Sequence, residues 1–269
     1  MSQAFGMKIG VAGALGRMGQ VVIDALDARA LAKGDVQVGA VFDRPGTEGQ
    51  AVGRRVLTSA SEALEVCQVV IDFTLPKASA GLARMSAEGT AAALIIGSTG
   101  FDADDEVALA RAASKIAMVR SGNFSLGVNM LLGLVRQAAR TLGPDAYDIE
   151  IHESHHRRKI DAPSGTALML GQAAALGRNI DLASHSDRGR DGLTGPRTPG
   201  NIGFSVQRGG GIIGEHSVMF AAEDEILTLS HSARDRSLFA KGAIEAAIWA
   251  VNRGQPGLFD MQDVLGLSA

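Results

Sequence analysis

Residues 7–29 read MKIGVAGALGRMGQVVIDALDAR. An apolar run from Met7 to Ala12 passes through glycines at positions 10, 13, 16 and 19 into a periodic segment from Gln20 to Arg29. That order predicts a strand, a glycine turn and a helix. A phosphate approaching such a turn needs backbone N–H groups with no side chain in the way, and the helix N-terminus adds a favourable dipole. The spacing is G-x-x-G-x-x-G, which suits a dinucleotide pyrophosphate or merely a tight strand–helix connection. Its place after the first strand favours the dinucleotide.

Working outward, Val36–Phe42, Gln68–Phe73, Ala91–Ile96 and Ile116–Arg120 read as further strands. Between them lie helical stretches at Lys77–Glu88 and at Ala103–Ser114, the latter with acids in its first turn as the helix dipole prefers. Such alternation predicts βαβ units and a parallel sheet. Ligands bind such sheets just past the carboxyl ends of the strands. Two small-residue stretches fall there, Gly97-Ser98-Thr99-Gly100-Phe101 and Ser121-Gly122-Asn123-Phe124-Ser125, and both let a nicotinamide ring approach the backbone. The second strand ends in Asp43-Arg44. An aspartate there accepts from the ribose hydroxyls of NAD, and an arginine pairs with the 2′-phosphate of NADP. Having both leaves NADH and NADPH open, with an exposed loop pair as the plain alternative.

The pattern changes after about residue 125. Val128–Thr141 reads as a helix and Tyr147–Ser154 as a strand, with Tyr147, Ile149 and Ile151 on one face and Asp148, Glu150 and His152 on the other. A helix is expected at Thr166–Leu176 and a Gly/Pro-rich loop at 187–203. Strands at Phe204–Gln207, Glu215–Phe220 and Ile226–His231 follow with hairpin-like connections, the first through Gly209-Gly210-Gly211. A last helix spans Ser237–Asn252.

Composition narrows the function class. The 269 residues suffice for one or two domains, and the net charge of −3 gives no global attraction for nucleic acid or anionic lipid. Aromatics at 4% offer few stacking platforms for bases. Cys67 is the single cysteine, so no intrachain disulfide and no cysteine-based metal site can form. No run reaches about 18 uncharged apolar residues, and the N-terminal MSQAFGMKIG lacks a leader pattern. A cytoplasmic protein with no membrane or nucleic-acid partner is expected.

Residues 152–166, HESHHRRKIDAPSGT, hold three of the six histidines. A histidine exchanges protons near neutral pH. If strand alternation persisted, His155 and His156 would point to opposite sides and play different roles. Lys159 adds a fixed positive charge, and Ser164 is placed as the N-cap of a helix whose first residues, Gly165 and Thr166, offer N–H groups to a carboxylate or phosphate. The unit reads as a proton donor beside an anion receptor. Arg157 and Arg158 read as a solvated pair, and His152, His185, His216 and His231 as solvated or core histidines. No carboxylate or thiol at ligand spacing accompanies the cluster, so no metal is expected.

The motifs GVAGALGRMG, IDFT, IGSTGF, NFSLGVN, EIHESHHRRKIDAPSGTA, GEH and GLFDMQDVLGL together resemble the bacterial dihydrodipicolinate reductase family over nearly the whole chain. The HH-x-x-K-x-D-A-P-S-G-T run is the most specific of them. The resemblance implies an α/β fold: a Rossmann dinucleotide-binding domain (1–125 and 237–269) with an inserted α+β domain (126–236) carrying a mixed or antiparallel open sheet for substrate binding and tetramer formation. It implies reduction of a small cyclic dicarboxylate, after loss of water, by hydride from NADPH or NADH, within diaminopimelate and lysine biosynthesis. His155 would give the proton, Lys159 would assist catalysis and substrate binding, and His156 with the Ser164-Gly165-Thr166 turn would hold a carboxylate. Cofactor contacts would come from the glycine turn (Gly10, Gly13, Arg17, Met18), from Asp43 and Arg44, from Gly97, Ser98 and Thr99, from Gly122, Asn123 and Phe124, and from Arg236. Two departures bear on this. Gly-Ser-Thr-Gly stands where relatives often have Gly-Thr-Thr-Gly, and Leu75 stands where many carry a basic residue, which weakens a strict NADP preference while Arg44 pulls the other way. A different nicotinamide dehydrogenase or a non-catalytic redox sensor would share the glycine turn but would have no need of the histidine–lysine unit.

Overall fold

The computed structural model describes residues 6–267. The first five residues, part of the stretch read for a leader, lie outside the described residues. The chain divides into two units: one runs up to Leu126 and resumes at Ser237, and the other is Gly127–Arg236.

The first unit opens with β1 (Met7–Ala12), α1 (Arg17–Lys33) and β2 (Val36–Phe42). Then come the short pair β3 (Ala51–Val52) and β4 (Arg55–Val56), α2 (Ala60–Val66), β5 (Val69–Asp72), α3 (Pro76–Glu88), β6 (Ala93–Ile96), α4 (Ala103–Ala113) and β7 (Ala117–Arg120). Six strands make one parallel sheet in the order β13-β7-β6-β5-β1-β2, where β13 (Gly257–Phe259) returns from the chain end. The strand order reverses at β1, which lies between β2 and β5, and this is the switch point where such sheets bind ligands.

Strands β5 and β6 are buried at every position, as expected of a parallel sheet covered on both faces. Alternation sends Ile9, Val11, Ile71, Ile95 and Val119 to the core shared with α1 and with α7 (Ser237–Arg253). The intervening Ala12, Val70, Leu94, Ile96 and Met118 face α2, α3 and α4. Each fully buried aliphatic side chain there contributes about 1.5–3 kcal/mol. Helix α7 sits close because Gly242 has no side chain: a Cβ there would lie 1.7 Å from the Phe124 carbonyl oxygen.

The second unit contains α5 (Leu126–Thr141, whose first residue belongs to the first unit), β8 (Asp148–His155), α6 (Gly165–Arg178), β9 (Ser186–Asp187), β10 (Ile202–Arg208), β11 (Glu215–Ala221) and β12 (Ile226–Ser232). A short α8 (Met261–Val264) follows β13 in the first unit. The second sheet runs β12-β11-β8-β10-β9. Its inner face, with Ile149, Ile151, Ile202, Phe204, Val218 and Phe220, packs on α5 and α6.

The hairpin expected through Gly209–Gly211 does not form. Strands β10 and β11 do not pair with each other; both flank β8, β10 parallel and β11 antiparallel. The glycine-rich connection therefore crosses the end of β8, where Gly209 N–H donates to the His155 carbonyl and Arg157 N–H to that of Gly210. The sheet is mixed because of this crossing. Among the described residues, no helix is long and apolar enough to span a membrane.

Candidate functional site

In the first unit the glycine turn follows β1 at the switch point. Gly13 has φ +70°, the left-handed region that favours glycine, and accepts from Gly16 N–H. A Cβ on Gly19 would lie 2.2 Å from the Gly13 oxygen, so the turn and the helix touch backbone to backbone. Gly16 caps α1 with no side-chain hydrogen bond, so no side chain of the cap covers the helix N-terminus, and the next two residues are Arg17, exposed, and half-buried Met18. That cradle fits a pyrophosphate. Beside it, Ala12, Phe42, Leu75, Ala78, Leu82 and Met85 line an apolar pocket that also takes in Gly13, Asp43 and Arg44.

Asp43 Oδ2 accepts from Leu15 N–H at 2.9 Å and Oδ1 from Arg44 N–H at 2.8 Å, which ties the end of β2 to the glycine turn. Arg44 is exposed, and no carboxylate among the described residues pairs with its guanidinium. Gly10 is placed differently from the other glycines. It lies inside β1, where a Cβ would sit 3.0 Å from Val70 and 3.3 Å from the Cys67 sulfur, so its role is close packing and not contact at the turn.

After β6, Gly97 N–H donates to the Asp72 carbonyl, and a Cβ on Gly97 would lie 2.3 Å from the Phe73 ring. The Ser98 hydroxyl is buried against Ser79, leaving exposed Thr99 as the hydroxyl facing outward. Phe124 is 1% exposed and stacks edge-on with Phe73, so any cofactor contact there is through backbone; Gly122 is exposed and Asn123 buried. Asp72 escaped the sequence reading as a site residue. It is fully buried, its Oδ1 accepts from Thr74 N–H and hydroxyl, and its Oδ2 has no partner among the described residues. Burial pushes its carboxyl up. The available signal was an acid closing the apolar run VVID.

In the second unit the end of β8 builds the histidine cluster. Glu153 and His155, two apart on the strand, share one face. The His155 Nδ1 lies 2.6 Å from Glu153 Oε2. Arg208, at the end of β10, donates to both Glu153 oxygens at 2.8 Å, and Ser164 N–H donates to Oε1 at 2.9 Å. Burial works to push the Glu153 carboxyl up, but Arg208, His155 and Ser164 together outweigh it and hold the group below the usual carboxylate range. His216, on β11, meets His155 edge-on with ring centroids 5.1 Å apart, and its Nε2 lies 3.1 Å from the Ser164 hydroxyl. Burial first, then the neighbouring His155, push His216 down to about 4.

Ser164 is the N-cap of α6, as its place in the motif predicts, with Oγ accepting from Ala167 N–H. It is almost wholly buried and its own N–H serves Glu153, so Gly165, with open space beside it, and Thr166 are the residues of the turn that face outward. Lys159 pairs with Asp161 at 2.8 Å. His156 lies just beyond β8 and not on it; the strand stops at His155, so alternation does not set the two rings. Its Nδ1 is buried without a partner among the described residues. Burial, then the charges of Arg158 and Arg236, push it down. Arg236 closes the second unit, and its charge is among those that reach His156.

Glu153, Arg208 and His216 were missed as site residues. Period-two alternation carries the first signal, but Arg208 and His216 reach it only through the ladders, in which His155 faces Arg208 and Glu153 faces His216.

Comparison with known proteins places these two sites in context. Residues 7–124 match the family described as dihydrodipicolinate reductase, N-terminus, and residues 127–265 the one described as dihydrodipicolinate reductase, C-terminus. A 4-hydroxy-tetrahydrodipicolinate reductase of Caulobacter vibrioides is 60% identical over 260 residues, covering 97% of either chain. One from Rhizobium rhizogenes is 49% identical, with 97% coverage of both. Among solved structures, a dipicolinate-bound dihydrodipicolinate reductase from Paenisporosarcina sp. TG-14 is 22% identical with a TM-score of 0.75, covering 96% of this chain and 98% of that one. A probable dehydrogenase from Thermotoga maritima, 11% identical with a TM-score of 0.60 and coverage of 97% and 93%, shares the fold.

Proposed function

The chain belongs to the dihydrodipicolinate reductase family, and from that premise we propose how its own residues carry the reaction. The activity is NAD(P)H-dependent reduction of 4-hydroxy-tetrahydrodipicolinate to tetrahydrodipicolinate with loss of water, a step in diaminopimelate and lysine biosynthesis. Bound NADPH or NADH supplies the hydride. The first unit is the dinucleotide-binding domain and the second the substrate domain. Gly13, Gly16, Arg17 and Met18 hold the pyrophosphate. Asp43 and Arg44 meet the adenosine ribose. The Gly97–Thr99 and Gly122–Phe124 backbones bound the nicotinamide.

His155 gives the proton that completes the reduction. Lys159, released from Asp161, and His156 meet one substrate carboxylate together with the N–H groups of Gly165 and Thr166, where the α6 dipole favours negative charge. The observation that carries this reading is that a single buried carboxylate, Glu153, bonds both the His155 ring and the start of the anion-receiving turn. The protein works in the cytoplasm as a homotetramer.

The test is oxidation of NADPH and of NADH, followed by absorbance, with the condensation product of pyruvate and aspartate semialdehyde generated in situ. Oxidation that depends on that product is expected, and its loss in His155→Ala with nucleotide binding intact. Loss of nucleotide binding alone would contradict the assignment of His155.

A further inference from the structure

Glu153 is 1% exposed and ionised, an expensive place for a charge. A buried ion pair is often no more stable than well-packed apolar residues of the same volume, so stability alone does not account for it. Each of its oxygens is used twice: Oε1 by Ser164 N–H and one Arg208 nitrogen, Oε2 by His155 Nδ1 and the other. The same Arg208 donates to the Asp161 carbonyl, in the loop that carries Lys159. One carboxylate and one guanidinium therefore reach the proton donor, the anion turn and the lysine loop.

The chemistry of the pair decides which nitrogen does the work. An ionised carboxylate only accepts hydrogen bonds, so the His155 nitrogen beside it must carry hydrogen. Nε2 is then the one position on the ring where a proton can be exchanged. That nitrogen faces Gly214, where a Cβ would approach to 3.0 Å, so a side chain at this position would crowd it. The groups facing the ring from the packed elements are Glu153 on β8, Arg208 on β10 and His216 on β11, and neutral His216 sets no second positive charge against the imidazolium.

We infer that Glu153, clamped by Arg208, is the positioning residue that keeps hydrogen on His155 Nδ1, so that protonation proceeds from Nε2. The inference rests on the assignment of His155 as proton donor, and its test includes a readout independent of turnover. In long-range 15N–1H spectra of the full chain, with His155 assigned by its loss in His155→Asn, neutral His155 is expected as the Nδ1–H tautomer. In Glu153→Gln the amide can donate instead of accept, and a shift toward the Nε2–H tautomer is expected. With it, kcat falls by roughly 10- to 100-fold, within the range of a misaligned general acid, while KM and the Kd for NADPH stay within about threefold, too little to account for it. Arg208→Lys keeps the charge but loses the fork, and is expected to fall between the two.

An unchanged tautomer in Glu153→Gln, or kcat within about threefold of the parent, overturns the inference. So does loss of NADPH binding in step with kcat, which marks general damage. Should Glu153→Gln fail to fold, Glu153→Asp is read by the same two measurements; it keeps the acceptor but withdraws it from the ring, and an unchanged kcat there is equally fatal. If the parent turns over no substrate while showing the Nδ1–H tautomer, the functional assignment has failed and the positioning has not.

Discussion

At the scale of single residues, contacts between backbone segments set hard limits. Gly19→Ala would drive a methyl group into the Gly13 carbonyl, 2.2 Å away and itself held in the left-handed region. Backbone must move, at a cost of about 1–3 kcal/mol. The expected outcome is a lower thermal midpoint and NADPH binding weakened by roughly tenfold or more, 1.4 kcal/mol in free energy, with the His155 tautomer unaltered. A nucleotide titration at the unmutated level would show that this turn does not hold the cofactor. His216 makes a second prediction. Its folded pKa of about 4 lies below its ordinary 6.5. The unfolded chain takes up a proton as pH falls below about 6.5, whereas the folded one resists until about 4. Stability therefore drops across that window, by about 3 kcal/mol from this residue. His156 and His231 slope the same way, and Glu153, whose folded pKa is lowered, adds a loss at still lower pH. In urea titrations from pH 7.5 to 4, His216→Asn should flatten the dependence without abolishing it. An unchanged slope would mean that the buried ring is already charged.

At the scale of elements, the start of α6 joins folding to chemistry. Ser164 caps the helix, holds His216 through its hydroxyl and feeds its N–H to Glu153. Ser164→Ala removes only the hydroxyl, so it should cost about 1 kcal/mol from the cap and raise the KM for the dicarboxylate more than it lowers kcat. The reverse split, measured by the coupled oxidation, would place Ser164 with the proton donor instead. The reason this element could be read in advance is local: Ser-Gly-Thr before an apolar helix is a cap signal within four residues. The parallel strands were equally plain, since the VVID and ALII runs need no partner to declare themselves. What stayed hidden was pairing over distance. Nothing near Gly209 tells that β10 and β11 will straddle β8 and not each other, and that crossing is what delivers Arg208 and His216 to Glu153. Strand β13, three residues long, was too short to carry a period and gains its place only by pairing with β7.

At the scale of the molecule, the second sheet ends along one side on β12, the longer of its two edge strands. Strand β12 pairs with β11 on one side only, and its sequence ILTLSHS has no lysine, no proline and no acid to blunt the free edge. Ile226 and Leu227 are exposed at 63% and 41%. A free, uncharged edge of this length is a template for pairing with a second chain. The outer face beside it, with His152, Ser217, Ser230 and Thr228, carries hydroxyl and imidazole groups suited to a wet interface between like copies. The proposed homotetramer is therefore expected to form through this sheet. Light scattering at micromolar concentration should give a mass four times the 27.8 kDa chain. Thr228→Lys, which puts a charge on the exposed strand with no core side chain disturbed, should lower that mass while the thermal transition of the first unit, followed by NADPH protection, holds. A parent mass of one chain would remove the tetramer altogether. An unchanged tetramer in Thr228→Lys would move its interface off this edge, because an uncompensated lysine repeated at each symmetric copy cannot be buried there without loss.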